Sequence, residues 1–237
     1  MPTFIEIAHK KCHQWNKFFE KENVIKCLDD IENKLSSAQI SPNKEDVFKA
    51  FENTNPNNIN YIILGQDPYP STNNNIHATG RSFELAGYND WNKKLHQNKG
   101  ISCINIIKGI HRCKKNIKQP LKIDKLRKEI RNNNFKISQP KKWFNETEKK
   151  GIMWLNAALT VGNTPGTHLE IWKEFIRLLI NYLENKDIKW IIWGKEAKEL
   201  AKMYKISEDK QIQGVHPELY AFAKTFDFNQ INIDFEC

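Results

Sequence analysis

The sequence predicts an α/β fold: three layers, α/β/α, built on a central, mainly parallel four-stranded sheet. Four short apolar runs, at 61–64, 152–155, 190–193 and 212–215, each stop abruptly in polar or turn-forming residues. Between them lie segments whose apolar residues recur at helical spacing. Strands that alternate with helices imply a mainly parallel sheet. In such sheets ligands bind beyond the carboxyl ends of the strands, so the residues that end the runs are the first place to look for function.

In chain order, Trp15, Phe18 and Phe19 precede Val24, Leu28, Ile31 and Leu35, whose spacing of four, three and four marks one buried helix face. After Ser41-Pro42 a second short helix is expected at 44–51, with Val47, Phe48 and Phe51 turned inward. Residues 53–60, polar and with one proline, connect to the first strand. That strand contains β-branched Ile62 and Ile63 and is broken at once by Gly65-Gln66-Asp67-Pro68-Tyr69-Pro70. Residues 71–75 read as loop and 87–100 as a polar, lysine-bearing stretch. A helix opens at 102–107 with Ser102 as its expected N-cap. Phe175, Leu178, Leu179, Tyr182 and Leu183 give a helix between the second and third strands. Ala197, Leu200 and Ala201 give another at 195–203, after the third.

At 237 residues, with 39% hydrophobic composition, the chain can bury one substantial core, and a single domain over 1–237 is expected. Its net charge of +9 suggests a polyanionic partner. Because 32 of the 37 basic residues are Lys, however, the excess can also reflect an AT-rich genome. The distribution is more informative. Residues 108–150 hold 15 Lys/Arg against four Asp/Glu, a net of +11 that exceeds the charge of the whole chain. One region therefore carries the positive field, as phosphate attraction would need. The alternative is a solvated surface or a partly disordered loop, since Asn132-Asn133-Asn134 has little to pack. Five scattered cysteines without Cys-x-x-Cys spacing indicate reduced thiols rather than a disulfide framework or a zinc site. The longest apolar runs are only a few residues long, and residues 1–4 lack a signal-peptide pattern. An intracellular, cytoplasmic protein of bacterial type with no membrane partner is expected.

The strand-end rule puts Asp67, Asn156 and His216 on one rim, although none was selected for its chemistry. Asp-Pro is also common turn chemistry, and an isolated Asn or His-Pro at a strand end is usually structural, so only the three together point to chemistry. An Asn amide offers one donor and one acceptor, which matches a base edge carrying both an N–H and a carbonyl, the pattern of uracil. An imidazole can hydrogen-bond an oxygen on which charge develops. A carboxylate can orient water or balance a cationic sugar. Together they suit glycosidic cleavage through an oxocarbenium-like transition state.

The segments Ile63-Leu64-Gly65-Gln66-Asp67-Pro68-Tyr69, Leu155-Asn156-Ala157-Ala158-Leu159-Thr160-Val161, Trp193-Gly194 and His216-Pro217 resemble the uracil-DNA glycosylase family. Weaker similarity runs from about Trp15, through 46–51, to 233–235. The resemblance implies that Asp67 activates water or stabilises the cationic sugar and that His216 is the electrophile at the leaving oxygen. It further implies that the Gln66 backbone amide contacts the base, that Tyr69 excludes a 5-methyl group, that Phe83 stacks on the base and that Asn156 reads its polar edge. No metal or organic cofactor is implied. The implied partner is uracil-containing DNA, single- or double-stranded. A monomer is expected, and a protein inhibitor is left open.

The departures fall mostly outside the pocket. The family's His-Pro-Ser-Pro-Leu-Ser becomes His216-Pro217-Glu218-Leu219-Tyr220-Ala221, which removes two phosphate-contacting serines and adds a carboxylate that repels phosphate. Lys195 stands where another such serine is usual and Pro70 where a His is usual. Ser102 matches a DNA-contacting serine but follows Lys99-Gly100-Ile101 in place of a proline-rich loop. Ser102, Lys195, Leu219 and Tyr220 are thus the candidate DNA contacts, with either Leu219 or Tyr220 filling the gap left by a flipped base. Two other readings stay open: a glycosylase for another or modified base, for example in phage DNA, and a catalytically inactive DNA-binding homologue. Retained Tyr69 and Asn156 weigh against the first, and retained Asp67 and His216 against the second.

Overall fold

The computed structural model describes residues 2–72, 75–93 and 100–236. Four strands, β1 (Tyr61–Gly65), β2 (Ile152–Asn156), β3 (Lys189–Trp193) and β4 (Gln211–Gly214), form one sheet in the order β2-β1-β3-β4. Every pairing in it is parallel. Alternate side chains of each strand leave opposite faces. Ile62, Leu64, Met153, Leu155, Trp190 and Ile192 therefore enter one core, and Ile63, Ile152, Trp154, Ile191 and Trp193 enter the other.

Helices α1 (Phe4–Lys11), α2 (Asn16–Phe19), α3 (Glu22–Leu35), α4 (Lys49–Glu52), α8 (Leu169–Leu183) and α9 (Lys195–Met203) cover the first face. The second is covered by α5 (Ile101–Lys114), α6 (Ile123–Arg131), α7 (Pro140–Lys149) and α10 (Tyr220–Thr225). The three-layer α/β/α arrangement is the expected one. The helix face read from Val24, Leu28, Ile31 and Leu35 is buried in full. Phe18, Phe19, Phe48, Phe51 and Phe175 pack edge-on beneath the sheet. Each buried ring contributes roughly 1.5–3 kcal/mol, so the strand tips project from a stiff base.

Three local expectations are corrected. The helix expected at 44–51 is a 3-10 turn at Lys44–Asp46 followed by α4, interrupted at Val47 and Phe48. Gly80 presses on this interruption, where an added Cβ would lie 1.9 Å from the Asp46 carbonyl oxygen. The N-cap of α5 is Gly100, at φ 80°, and not Ser102, which lies inside the first turn. The Ser102 hydroxyl instead bonds Tyr69, as described below. β4 ends at Gly214, leaving Val215 exposed beyond it. Much of the polar stretch at 87–100, residues 94–99, lies outside the described residues.

Residues 108–150 are mainly helical. Phe135, fully buried, anchors the turn after the three asparagines. Two of the arginines clamp backbone carbonyls: Arg112 bonds those of Ala223 and Phe226, and Arg127 those of Trp91 and Lys93. Among the described residues, no helix is long and apolar enough to cross a membrane.

Candidate active site

The tips of β1 and β2 are locked side by side. Gly65 is paired in register with Asn156, and beyond the ladder Ala157 N–H donates to the Gly65 carbonyl at 2.9 Å and Ala158 N–H to that of Gln66 at 3.0 Å. Gly65 must lack a side chain: an added Cβ would sit 2.3 Å from Asn156 Oδ1 and 2.9 Å from Ser82 Cβ. The Asn156 amide therefore packs directly against the β1 backbone at Gly65. The residue is only 2% exposed, and its Nδ2 is buried without a hydrogen-bond partner among the described residues. A buried, unpaired donor of this kind costs about 1–3 kcal/mol, which a ligand carbonyl would offset.

Asp67 lies two residues beyond the end of β1. Its Oδ2 accepts the Gly166 N–H, and the Gln66 side chain hydrogen-bonds the same carboxylate. Burial raises the carboxyl pKa above its ordinary value, and these two bonds pull it partly back. The outcome is a half-desolvated carboxylate fixed in direction, which stabilises nearby positive charge more strongly than one in bulk water.

His216 comes from the segment after β4. Its Nδ1 accepts the Glu218 backbone N–H at 3.2 Å, so in the neutral ring the proton is on Nε2, which becomes the donor. Burial lowers the imidazole pKa, opposed by the Glu218 and Glu196 carboxylates, with Glu218 Oε2 3.9 Å from Nδ1. The neutral donor is the form this environment favours. Gly194, at φ 91°, admits the ring, since a Cβ there would come within 2.9 Å of His216 Cβ. Asn105 of α5 holds the segment from below by donating to the Pro217 carbonyl at 2.8 Å.

Two aromatic residues line the same cleft. Burial pushes the Tyr69 phenol pKa far up; Ser102 hydrogen-bonds that phenol, and Ser41 Oγ donates to the Tyr69 carbonyl at 3.0 Å. Phe83 sits at φ 61°, a left-handed conformation that costs a non-glycine residue about 1–3 kcal/mol. Its ring meets Trp193 edge-on at 5.6 Å and lies 6.1 Å from the His216 ring.

Gln66, Asp67, Tyr69, Phe83, Asn156 and His216 line one cleft of about 1050 Å³, together with Ser102, Lys195 and Leu219. Lys195 opens α9 with its side chain 82% exposed, 3.7 Å from Glu199. Leu219 is 55% exposed and lines the cleft; Tyr220 is 57% exposed, starts α10 outside it, and has Lys108 Nζ 4.7 Å from its ring centroid. Ser102 is buried rather than presented on the rim.

Sequence reasoning missed Gly166, Asn105 and Arg81. Gly166 and Asn105 act through a backbone N–H and a carbonyl contact 99 and 112 residues away, for which no sequence pattern exists. Arg81 lay inside the Gly80-Arg81-Ser82-Phe83 segment, where a charged residue beside an inward aromatic was the available signal. Among the described residues no group of three or more His, Cys, Asp or Glu is arranged to hold a metal ion.

No protein-family model matches the chain. Curated relatives do. The uracil-DNA glycosylase of Mycoplasmopsis pulmonis is 26% identical over 230 residues, covering 93% of this chain and 90% of the relative. That of Mesomycoplasma hyopneumoniae is 29% identical over 215 residues, covering 87% and 84%. Among solved structures, the UNG crystal structure from Nitratifractor salsuginis aligns with a TM-score of 0.71 at 21% identity, over 92% of this chain and 89% of that one. The mimivirus uracil-DNA glycosylase aligns at 0.60 and 23%, over 93% and 77%. The structural likenesses bear on the fold, and the curated relatives bear out the resemblance that the four motifs carry.

Proposed function

We propose that the chain is a monofunctional uracil-DNA glycosylase, which flips uracil out of DNA and hydrolyses its bond to deoxyribose, leaving an abasic site. The relatives of that name, matched over most of this chain, support the activity. The observation that carries the site assignment is the buried Asn156 Nδ2, without a hydrogen-bond partner among the described residues, in a cleft shared with Asp67, His216 and two aromatic walls. A base stacked in a duplex cannot reach such a cleft, so extrusion precedes chemistry.

Asn156 accepts the uracil N3–H through Oδ1 and donates to O4 through Nδ2. Phe83 stacks on the ring, and Tyr69 occupies the space that a 5-methyl group would need. As the C1′–N1 bond lengthens, its electron pair moves onto the base, where the His216 Nε2–H meets the charge growing on O2. The deoxyribose becomes oxocarbenium-like. Asp67 balances that charge and orients the water that adds to C1′, taking up its proton, while the released base is protonated from solvent. The protein acts as a monomer on single- or double-stranded DNA, with Lys195, Leu219 and Tyr220 at the DNA rim, in the cytoplasm of a bacterial-type cell.

The test is a panel of single- and double-stranded oligonucleotides carrying uracil, thymine or 5-hydroxymethyluracil, incubated with the protein and cleaved with alkali. Uracil substrates alone are expected to break. A preference for 5-hydroxymethyluracil would support the modified-base reading, and no cleavage would support the inactive one. Two variants refine the site. Tyr69→Ala should admit thymine, and an unchanged preference for uracil would remove Tyr69 from the role of steric wall. Gly65→Ala pushes the Asn156 amide out of plane and should lower uracil release by about 10²-fold, the scale of a one-ångström misplacement. A wild-type rate would show that Asn156 does not read the base from this position.

A further inference from the structure

Phe83 holds a strained backbone conformation, and Arg81 and Glu84, which bracket it, belong to a buried charged network. The Arg81 side chain, 0% exposed, sends Nε to Glu148 Oε1 and Nη2 to Glu148 Oε2, both at 2.7 Å. Its Nη1 reaches Glu84 Oε2 at 3.1 Å, and Nη2 also reaches Asn145 Oδ1 at 2.5 Å. Asn53 adds a bond to Glu148 Oε2 at 3.2 Å. Arg81 and Glu84 thus bracket Phe83, and both are tied to α7 through one guanidinium. Between them, Ser82 N–H donates to the Trp154 carbonyl at 3.1 Å, and Ser82 Oγ donates to that of Ile63 at 3.3 Å.

A left-handed aromatic persists only where its surroundings over-determine the backbone. The strand contacts of Ser82 supply one side of that constraint, and the Arg81 fork supplies the other. Desolvating both charges offsets much of what their pairing returns, so the pair adds little net stability compared with an apolar couple of similar volume. It supplies direction instead, because a planar fork with two parallel bonds fixes the guanidinium in angle as well as distance.

We propose that Arg81, held by Glu148, is a positioning residue for base stacking: it keeps Phe83 in the left-handed conformation from which its ring faces the pocket. The proposal rests on the uracil reading of that pocket. Arg81 borders the cleft, but its side chain is 0% exposed and engaged by Glu148, Glu84 and Asn145, so it acts on the base through Phe83.

The experiment compares Arg81→Met/Glu148→Met, Arg81→Lys and Phe83→Ala, alone and combined, by melting temperature, by kcat and KM on a single-stranded uracil oligonucleotide, and by inhibition with free uracil. The apolar double swap is expected to melt near the wild type, while KM and the free-uracil inhibition constant each rise about tenfold, within the range for losing one base–aromatic stack. kcat should change less. Arg81→Lys keeps the charge and the fold but not the fork, and should raise KM about threefold. In the Phe83→Ala background neither change should have further effect, because the ring through which Arg81 acts is gone. Wild-type KM in either folded variant, or an equal loss in the Phe83→Ala background, would overturn the proposal. A wild-type protein that releases no uracil would instead sink the activity reading, so the two failures are distinguishable.

Discussion

Asp67→Asn lowers turnover on a single-stranded uracil oligonucleotide by about 10³-fold, an effect of the size seen when one preorganised electrostatic group is removed. Its dissociation constant for the oligonucleotide should change little. Asn keeps the shape and can still meet the Gly166 N–H, but it has no charge to set against the developing sugar cation and cannot take the proton of the attacking water. Catalysis, not binding, should therefore carry the loss. The pH profile adds a second signature. Burial raises the Asp67 pKa, and the reaction needs the ionised form. Activity is thus full above the raised value and falls as the pH drops through it, starting higher than the ordinary aspartate value of about 3.9 would allow. The acid limb in Asp67→Asn should lose this component. A variant with wild-type turnover would show that the carboxylate does not act on the reaction.

His216→Leu should lower kcat by about 10²–10³-fold, again with little change in binding, because only the donor to the leaving oxygen is lost. The Glu218 N–H on Nδ1 and the lowered pKa both favour the neutral ring. The sign follows directly: a lowered pKa keeps the imidazole uncharged through neutral pH, and protonation begins only below the usual value of about 6.5. Nitrogen NMR of ring-labelled protein should find Nε2–H and a bare Nδ1 at pH 7. A protonated imidazolium at that pH would contradict the assignment, and so would wild-type kcat in the leucine variant.

The sheet and the rim were legible because the same residues end the apolar runs and carry the chemistry. Asp67, Asn156 and His216 stand at or just beyond strand ends; the β-branched and aromatic content of the first three strands marks their type, while β4 holds only Ile212 and is marked by the turn that follows it. Phe83 was within reach because only sixteen residues separate it from Asp67. What the sequence left hidden depends on contacts made at a distance. Ser102 reads as an N-cap until its hydroxyl is found on Tyr69, 33 residues upstream, with Gly100 supplying the turn. The break at 47–48 lies where Gly80 arrives from another loop, close against Asp46 and Lys49. Arg81 finds Glu148 across 67 residues, and a pattern of local spacing contains no trace of that pairing. The basic stretch illustrates the same limit. Charge counting cannot separate an arginine offered to phosphate from one bound to a neighbouring carbonyl, as Arg112 and Arg127 are.

On the proposed reading this cleft cuts the uracil glycosidic bond with its own side chains. The most direct test is chromatographic detection of free uracil from a single-stranded oligonucleotide carrying one labelled deoxyuridine, with the protein in excess EDTA. One uracil per strand should be released, undiminished by the chelator, with the backbone intact until alkali is added. An absence of free uracil, or strand breakage before alkali, would contradict that reading.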